Sequence, residues 1–125
     1  MKKLLILGAG TAGTMMLNKL SGKLDSGEWQ ITIVDQHETH YYQPGFLFIP
    51  FGIYSKKDVI KPKRDFFPLG ADFVSGKIDK IEAEENRVLL ENGTVLGYDI
   101  LIVATGCDVH PDETEDMTGE LWYEN

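Results

Sequence analysis

The chain has 125 residues, of which 42% are hydrophobic and 26% charged, and its formal net charge is −8. These values are typical of one globular domain, and the negative charge argues against nucleic acid as a partner. No apolar run approaches the roughly 20 residues of a membrane-spanning helix. The single cysteine excludes an intrachain disulfide. We therefore expect a cytoplasmic domain without an export signal.

A strand and a glycine-rich turn open the chain. Residues Lys3–Leu7 are almost wholly apolar, as in a buried parallel strand, and three glycines follow at the spacing G-x-G-x-x-G. We expect Gly8 to turn the chain sharply and Gly10 to let backbone amides approach a pyrophosphate. Gly13 would let the following helix pack closely on the strand. The pattern predicts a dinucleotide-binding turn.

A helix is predicted after this turn, from Thr11 to about Leu24. The backbone N–H groups of its first turn, at Thr11 and Ala12, would face the phosphates, because helix N-termini favour negative charge. An apolar stripe predicts the face that covers the sheet, and we assign its methionines to the core together with its leucines. The stripe consists of Met15, Met16, Leu17 and Leu20.

A second strand, Gln30–Asp35, is rich in β-branched residues and ends in a carboxylate. Asp35 follows Gly13 by 22 residues, close to the spacing of about 20 expected for the acid that binds ribose hydroxyls. A carboxylate there would accept hydrogen bonds from both hydroxyls and repel a 2′-phosphate, which disfavours NADP. The next residue, Gln36, is assigned to the same site. The alternative is that Asp35 merely ends a strand.

Residues 36–70 show no clear period and contain several prolines, so neither a strand nor a helix is predicted at their centre. That centre, Tyr41–Phe51, is strongly aromatic. Because loops are normally polar, this one must cover a core, a flat ligand, another domain or a membrane. The basic residues between Lys56 and Arg64 are interpreted as a solvated face, with contact to anionic lipid or cofactor phosphate as the alternative.

Strand patterns return from residue 71. A short buried strand is predicted at Asp72–Ser75, and Asn92-Gly93 predicts a two-residue hairpin with positive φ at both positions. The predicted strands of the resulting antiparallel meander are Lys77–Glu84, Arg87–Glu91 and Thr94–Tyr98. The meander stands where a plain dinucleotide-binding domain would carry a helix.

A last buried parallel strand is predicted at Ile100–Val103, followed by the small residues Ala104, Thr105 and Gly106. Small residues at the carboxyl end of a strand let a cofactor approach, since ligands of doubly wound sheets bind there. The sequence thus predicts a Rossmann-like α/β fold, a parallel sheet with an inserted three-stranded antiparallel meander. Residues 1–107 would form this domain, and residues 108–125 an acidic linker.

These ordered signals resemble the N-terminal FAD-binding half of flavoproteins with two dinucleotide-binding domains. Thr39–Gly45, with the sequence THYYQPG, resembles sulfide:quinone oxidoreductases and, less closely, type II NADH dehydrogenases. The resemblance implies oxidation of sulfide, with electrons passing through FAD to membrane quinone. It also implies an intact protein that lies peripherally on the cytoplasmic membrane.

The resemblance further implies how FAD would lie on the chain. Its pyrophosphate would bind at Gly8–Gly13 and its adenosine ribose at Asp35. The adenine would lie against Lys77 and Ile78. Residues implied near the flavin are Pro44, Gly45, Ala104, Thr105 and Gly106. The segment Tyr41–Phe51 would then be a surface that faces the flavin and a partner, through which the isolated chain would self-associate.

Members of that family are about three times as long as this chain and use a second domain, a returning C-terminal segment and a pair of redox cysteines. We therefore expect a fragment that is inactive alone and binds FAD weakly or not at all. The alternatives are the FAD domain of a type II NADH dehydrogenase, or a nucleotide-binding module without chemistry.

The remaining chemically active side chains are assigned no role. Cys107 follows the small residues, but a dithiol relay needs a partner thiol, so we interpret it as inert. His37 and His40 lie three residues apart beside Asp35 and Glu38. No cysteine or third histidine is nearby, so we interpret the two histidines as loop or flavin-side residues. No catalytic residue and no metal ligand is predicted.

Overall fold

The computed structural model describes residues 1–115, 117 and 118. In chain order its strands and helices are β1 (Lys2–Leu7), α1 (Thr11–Ser21), β2 (Trp29–Asp35), β3 (Thr39–Tyr41), α2 (Lys56–Val59), β4 (Ile60–Pro62), β5 (Asp72–Ser75), β6 (Ile78–Glu82), β7 (Arg87–Leu90), β8 (Val95–Gly97) and β9 (Ile100–Val103). Short 3₁₀ turns cover Gln43–Phe48, Lys63–Phe66, Ala83–Glu85 and Pro111–Glu113.

A four-stranded parallel sheet in the order β5-β2-β1-β9 forms the centre of the fold. β1 pairs with β2 and β9, and β2 pairs with β5, all in parallel. The carboxyl ends of all four strands therefore lie at one edge of the sheet, which is the edge where ligands of such sheets bind. The predicted parallel strands and Rossmann-like fold class are confirmed.

The side chains of β1 alternate between two cores, because successive residues of a strand point to opposite faces. Leu4 and Ile6 pack on the face that carries Leu17 of α1. Leu5 and Leu7 pack on the other face together with β7. That second face is covered by the antiparallel sheet β6-β7-β8. The meander thus takes the place of a covering helix, as predicted.

The helix α1 is shorter than predicted and buries fewer side chains. It ends at Ser21, with Gly22 at its C-cap, and Leu17 is fully buried. Met15 and Met16 are 66% and 36% exposed, so their assignment to the core was wrong. Only one face of α1 packs on the sheet, and Met15 lies about 200° around the helix from Leu17.

The two outer strands are less buried than predicted. Both β5 and β9 have exposed residues at their ends and half-buried residues between them, and Val103 is 57% exposed. The expectation of buried strands was wrong here because each lies at an edge of the sheet with one neighbour. A run of apolar residues does not reveal the order of strands in a sheet.

The hairpin between β7 and β8 differs from the predicted two-residue turn. Gly93 has φ +87°, but Asn92 does not have positive φ. Instead, the Asn92 side-chain oxygen accepts a hydrogen bond from Thr94 N at 3.0 Å. Leu90 N donates to Thr94 O at 2.9 Å, so the connection has three residues with glycine last, a common alternative hairpin.

Residues 36–70, which were predicted to lack regular structure at their centre, form a small unit outside the central sheet. We call this unit the excursion. β3 and β4 pair antiparallel, with Thr39 opposite Pro62. Ser55 and Asp58 form a capping box that starts α2. Proline is compatible with this ribbon because Pro62 ends an edge strand. Among the described residues, no helix is long and apolar enough to cross a membrane.

Candidate functional site

The glycine turn after β1 is fixed by close backbone packing. Gly8 has φ +94°, and a Cβ on it would overlap the carbonyl oxygen of Ala104. A Cβ on Gly13 would overlap the carbonyl oxygen of Gly8. Both positions therefore require glycine. Gly8 allows the turn and the close approach of the residues that follow β9, and Gly13 allows the close approach of α1 to the end of β1.

Gly10 stands in a different environment, although it belongs to the same motif. It is the N-cap of α1, and a Cβ added to it would meet no atom within 4 Å. Within residues 1–115, no side chain caps this helix end and no acidic residue lies in its first turn. Space and free backbone N–H groups are thus available for a negatively charged group at this end of the helix.

Asp35 ends β2 beside this turn, and its carboxylate accepts three hydrogen bonds. Oδ2 accepts from Ala9 N at 2.7 Å and Oδ1 accepts from His37 N at 2.8 Å. The ammonium group of Lys63 lies 2.7 Å from Oδ2. Both side chains of this ion pair are almost completely covered. Asp35 is therefore more than the end of a strand, because the fold orients its carboxylate.

The environment of Asp35 also favours its charged form. Burial alone would raise the pKa of this carboxyl, but hydrogen bonds from Lys63 and from the backbone N–H groups of His37 and Ala9 outweigh it. The pKa of Asp35 therefore lies below its ordinary value of 3.8. The carboxylate is ionised at neutral pH and can accept hydrogen bonds from hydroxyl groups.

An open cavity of about 230 Å³ lies at the carboxyl ends of the strands. Its walls are Gly8, Val34, Asp35, Gln36, Gly76, Lys77, Ile78 and Thr105. The structure thus brings six of the predicted site residues together from the ends of β1, β2 and β9 and the start of β6. Val34 and Gly76 were missed, although Gly76 directly follows β5 and its place at a strand end could have indicated it.

The other predicted site residues lie outside the walls of this cavity. Gly10 is the N-cap of α1, Thr11 and Ala12 are its first residues, and Gly13 follows them in the first turn, buried against Gly8. Ala104 and Gly106 flank Thr105.

Pro44 and Gly45 are not brought to the cavity. They lie in the 3₁₀ turn Gln43–Phe48, where Gly45 is buried beside Val59 and Tyr54 of the excursion. Their implied place near the flavin stays a prediction.

The aromatic part of the excursion is exposed rather than folded into the core. We define the aromatic surface as the exposed side chains Tyr41, Tyr42, Phe46, Leu47, Phe48, Phe51, Ile53 and Tyr54. The rings of Tyr41 and Phe46, and those of Phe48 and Tyr54, contact each other edge to face. This agrees with the prediction that the segment Tyr41–Phe51 is not part of the core of the domain.

The remaining reactive side chains stand apart from the cavity. Cys107 is exposed, and the ring of His40 packs against Phe66 at a centroid distance of 5.0 Å. Within the described part of the chain, no three potential metal ligands lie close enough to hold an ion.

Comparison with known proteins identifies relatives that match most of this chain. No protein-family model matches the chain. The mitochondrial sulfide:quinone oxidoreductase of Dictyostelium discoideum is 35% identical over 119 residues, which are 95% of this chain and 26% of that protein. The predicted resemblance to the sulfide:quinone oxidoreductase family is confirmed. The type II NADH:quinone oxidoreductase of Staphylococcus aureus is 31% identical over 106 residues, which are 84% of this chain and 26% of that protein.

A solved structure of a sulfide:quinone oxidoreductase shares the fold. The enzyme from the hyperthermophilic bacterium Aquifex aeolicus matches with a TM-score of 0.71 and 22% identity, over 88% of this chain and 25% of that chain. At this identity the likeness concerns the fold alone. The chain spans about a quarter of the length of the relatives it matches.

Proposed function

We propose that the chain binds the adenosine diphosphate half of FAD and is the FAD-binding part of a sulfide:quinone oxidoreductase. The observation that carries this proposal is the ionised Asp35 carboxylate, which lines a cavity at the strand ends beside the glycine turn. The first turn of α1 would bind the pyrophosphate, and Asp35 would accept a hydrogen bond from the ribose.

The residues present fit this part of the cofactor. Gly10 leaves room for a phosphate next to free N–H groups, since an added Cβ would meet no atom there. Lys77 and Ile78 line the same cavity as Asp35 and would receive the adenine. FAD, when bound, supplies the redox chemistry, while this chain binds and orients it.

Sulfide is proposed as the electron donor, and membrane quinone as the acceptor, because of the similarity to sulfide:quinone oxidoreductases. The chain is 35% identical to the Dictyostelium discoideum protein over 95% of its length, against 31% over 84% for the type II NADH:quinone oxidoreductase. The segment THYYQPG supports the same choice. NADH remains the second candidate donor, supported by the latter relative. A peripheral position on the cytoplasmic membrane belongs to the same proposal.

Isothermal titration of the chain with FAD, ADP and NADP tests the binding proposal. We expect ADP to bind, FAD to bind weakly and little better than ADP, and NADP to bind less well than ADP. Asp35→Ala should weaken ADP binding by about 1–3 kcal/mol, because a ribose hydroxyl loses its buried acceptor. Glu84→Ala is the matched control, since it removes an equal charge from an exposed turn. Tight binding of NADP without binding of ADP would contradict the proposal.

A further inference from the structure

Among the described residues, Lys63 has a buried charged side chain to which the proposed function assigns no role. It is 6% exposed, and it belongs to a basic segment that was interpreted from sequence as solvated. Burying an ammonium group is costly unless a partner of opposite charge compensates for it. Here the partner is Asp35 Oδ2, at 2.7 Å from Lys63 Nζ.

The backbone around Lys63 is held in place independently of this ion pair. Lys63 N donates to the carbonyl oxygen of Glu38 at 2.8 Å. The side-chain amide of Asn18, on α1, donates to the carbonyl oxygen of Phe66 at 2.8 Å. The 3₁₀ turn that begins at Lys63 is thereby attached to the segment before β3 and to α1. These attachments hold the backbone from which the Lys63 side chain reaches Asp35.

The hydrogen bonds of Asp35 limit what its carboxylate can still accept. Two oxygens offer about four acceptor positions. Oδ2 already accepts from Ala9 N and from Lys63, while Oδ1 accepts from His37 N alone. One position therefore remains, on Oδ1. The expectation that Asp35 accepts both ribose hydroxyls is reduced to one hydroxyl by this count.

We propose that Lys63 is a positioning residue of the nucleotide site, which holds Asp35 Oδ2 so that Oδ1 is the acceptor for one ribose hydroxyl. This inference rests on the proposed nucleotide binding. Lys63 does not contact the nucleotide in this role, and it acts through the orientation and charge of Asp35.

The experiment compares ADP with its 2′,3′-dideoxy analogue, which lacks both ribose hydroxyls. Titrations are made with the wild-type chain and with Lys63→Met, Lys63→Arg and the exposed control Lys61→Met. We expect the wild type to bind ADP about tenfold or more tightly than the analogue, as for a hydrogen bond to a charged group. Lys63→Met should lower ADP affinity toward that of the analogue and leave the analogue's affinity unchanged. Lys63→Arg should restore part of the preference, and Lys61→Met should change neither affinity.

The ratio of the two affinities separates positioning from a general structural role, because a distorted site would weaken both ligands alike. If Lys63→Met does not fold, Lys63→Gln is measured in its place. An unchanged ratio in a folded variant would overturn this inference and leave the proposed function standing. A wild type that binds both ligands equally would overturn it as well. A wild type that binds neither would overturn the proposed function and the inference together.

Discussion

At the scale of residues, the three glycines of the turn are constrained by different neighbours. Gly8 and Gly13 face backbone atoms of the protein itself, whereas Gly10 faces open space. A side chain at Gly8 or Gly13 must therefore disturb the fold, while one at Gly10 meets only what binds there. The same motif thus contains two structural positions and one binding position.

We expect Gly10→Val to abolish ADP and FAD binding and to leave the fold intact. A valine side chain would fill the space that the pyrophosphate needs, but it would contact no protein atom within 4 Å of its Cβ. Titration measures the binding, and thermal unfolding followed by circular dichroism measures the stability.

Gly13→Ala is the contrasting variant for this prediction. Its Cβ would overlap the Gly8 carbonyl oxygen. We therefore expect this substitution to lower the free energy of unfolding by about 1–3 kcal/mol or more. A Gly10→Val variant that still binds ADP, or one that unfolds like Gly13→Ala, would show that the roles of these glycines are assigned wrongly.

The sequence was sufficient to predict Asp35 but not its partner. Asp35 ends a strand at a recognisable spacing from the glycines, and these local features can be read along the chain. Lys63 reaches it from a segment without periodicity, 28 residues further on. The charge pattern there resembles that of a solvated surface, because an ion pair made by tertiary packing leaves no regular spacing in the sequence.

At the scale of elements, the meander determines how the parallel sheet is covered. Val88 and Leu90 of β7 are buried against Leu5, Leu7 and Val34. Leu89, between them on the strand, is only half-buried. The sequence predicted these strands because their β-branched and leucine residues and the Asn-Gly turn are local signals. It did not predict that β5 and β9 are edge strands, since strand order depends on tertiary pairing.

Leu90→Ala should therefore destabilise the fold much more than Leu89→Ala. Truncating a buried leucine costs about 2–5 kcal/mol through lost burial and the cavity that remains. The two variants remove the same atoms from adjacent positions of one strand, so the difference reports the face of β7. Urea unfolding of both variants measures it, and equal losses would mean that the meander does not cover the sheet as described.

At the scale of the whole molecule, the aromatic surface is the feature that indicates contact with something outside this domain. Eight large apolar side chains between residues 41 and 54 are exposed. Isolated exposed apolar residues are ordinary, but a concentration of them in one segment, with ring pairs in contact, indicates contact with another molecule or segment. From composition the sequence predicted that this segment contacts something, since it is too apolar for a solvated loop, and the family resemblance predicted a surface outside the core. It did not predict the ribbon β3-β4 and the cap at Ser55 that hold the segment in shape.

The 125-residue chain should consequently self-associate, and the association should depend on the aromatic surface. Sedimentation velocity over a range of concentrations should show dimers or larger species, because association removes apolar area from water. Leu47→Glu and Phe51→Glu place charges at two of its most exposed positions and should shift the chain toward the monomer. Met15→Glu is the control, since Met15 is equally exposed apolar surface on α1, outside the group. If all three variants behave alike, association does not use the aromatic surface, and a wild type that is monomeric at every concentration would contradict the prediction altogether.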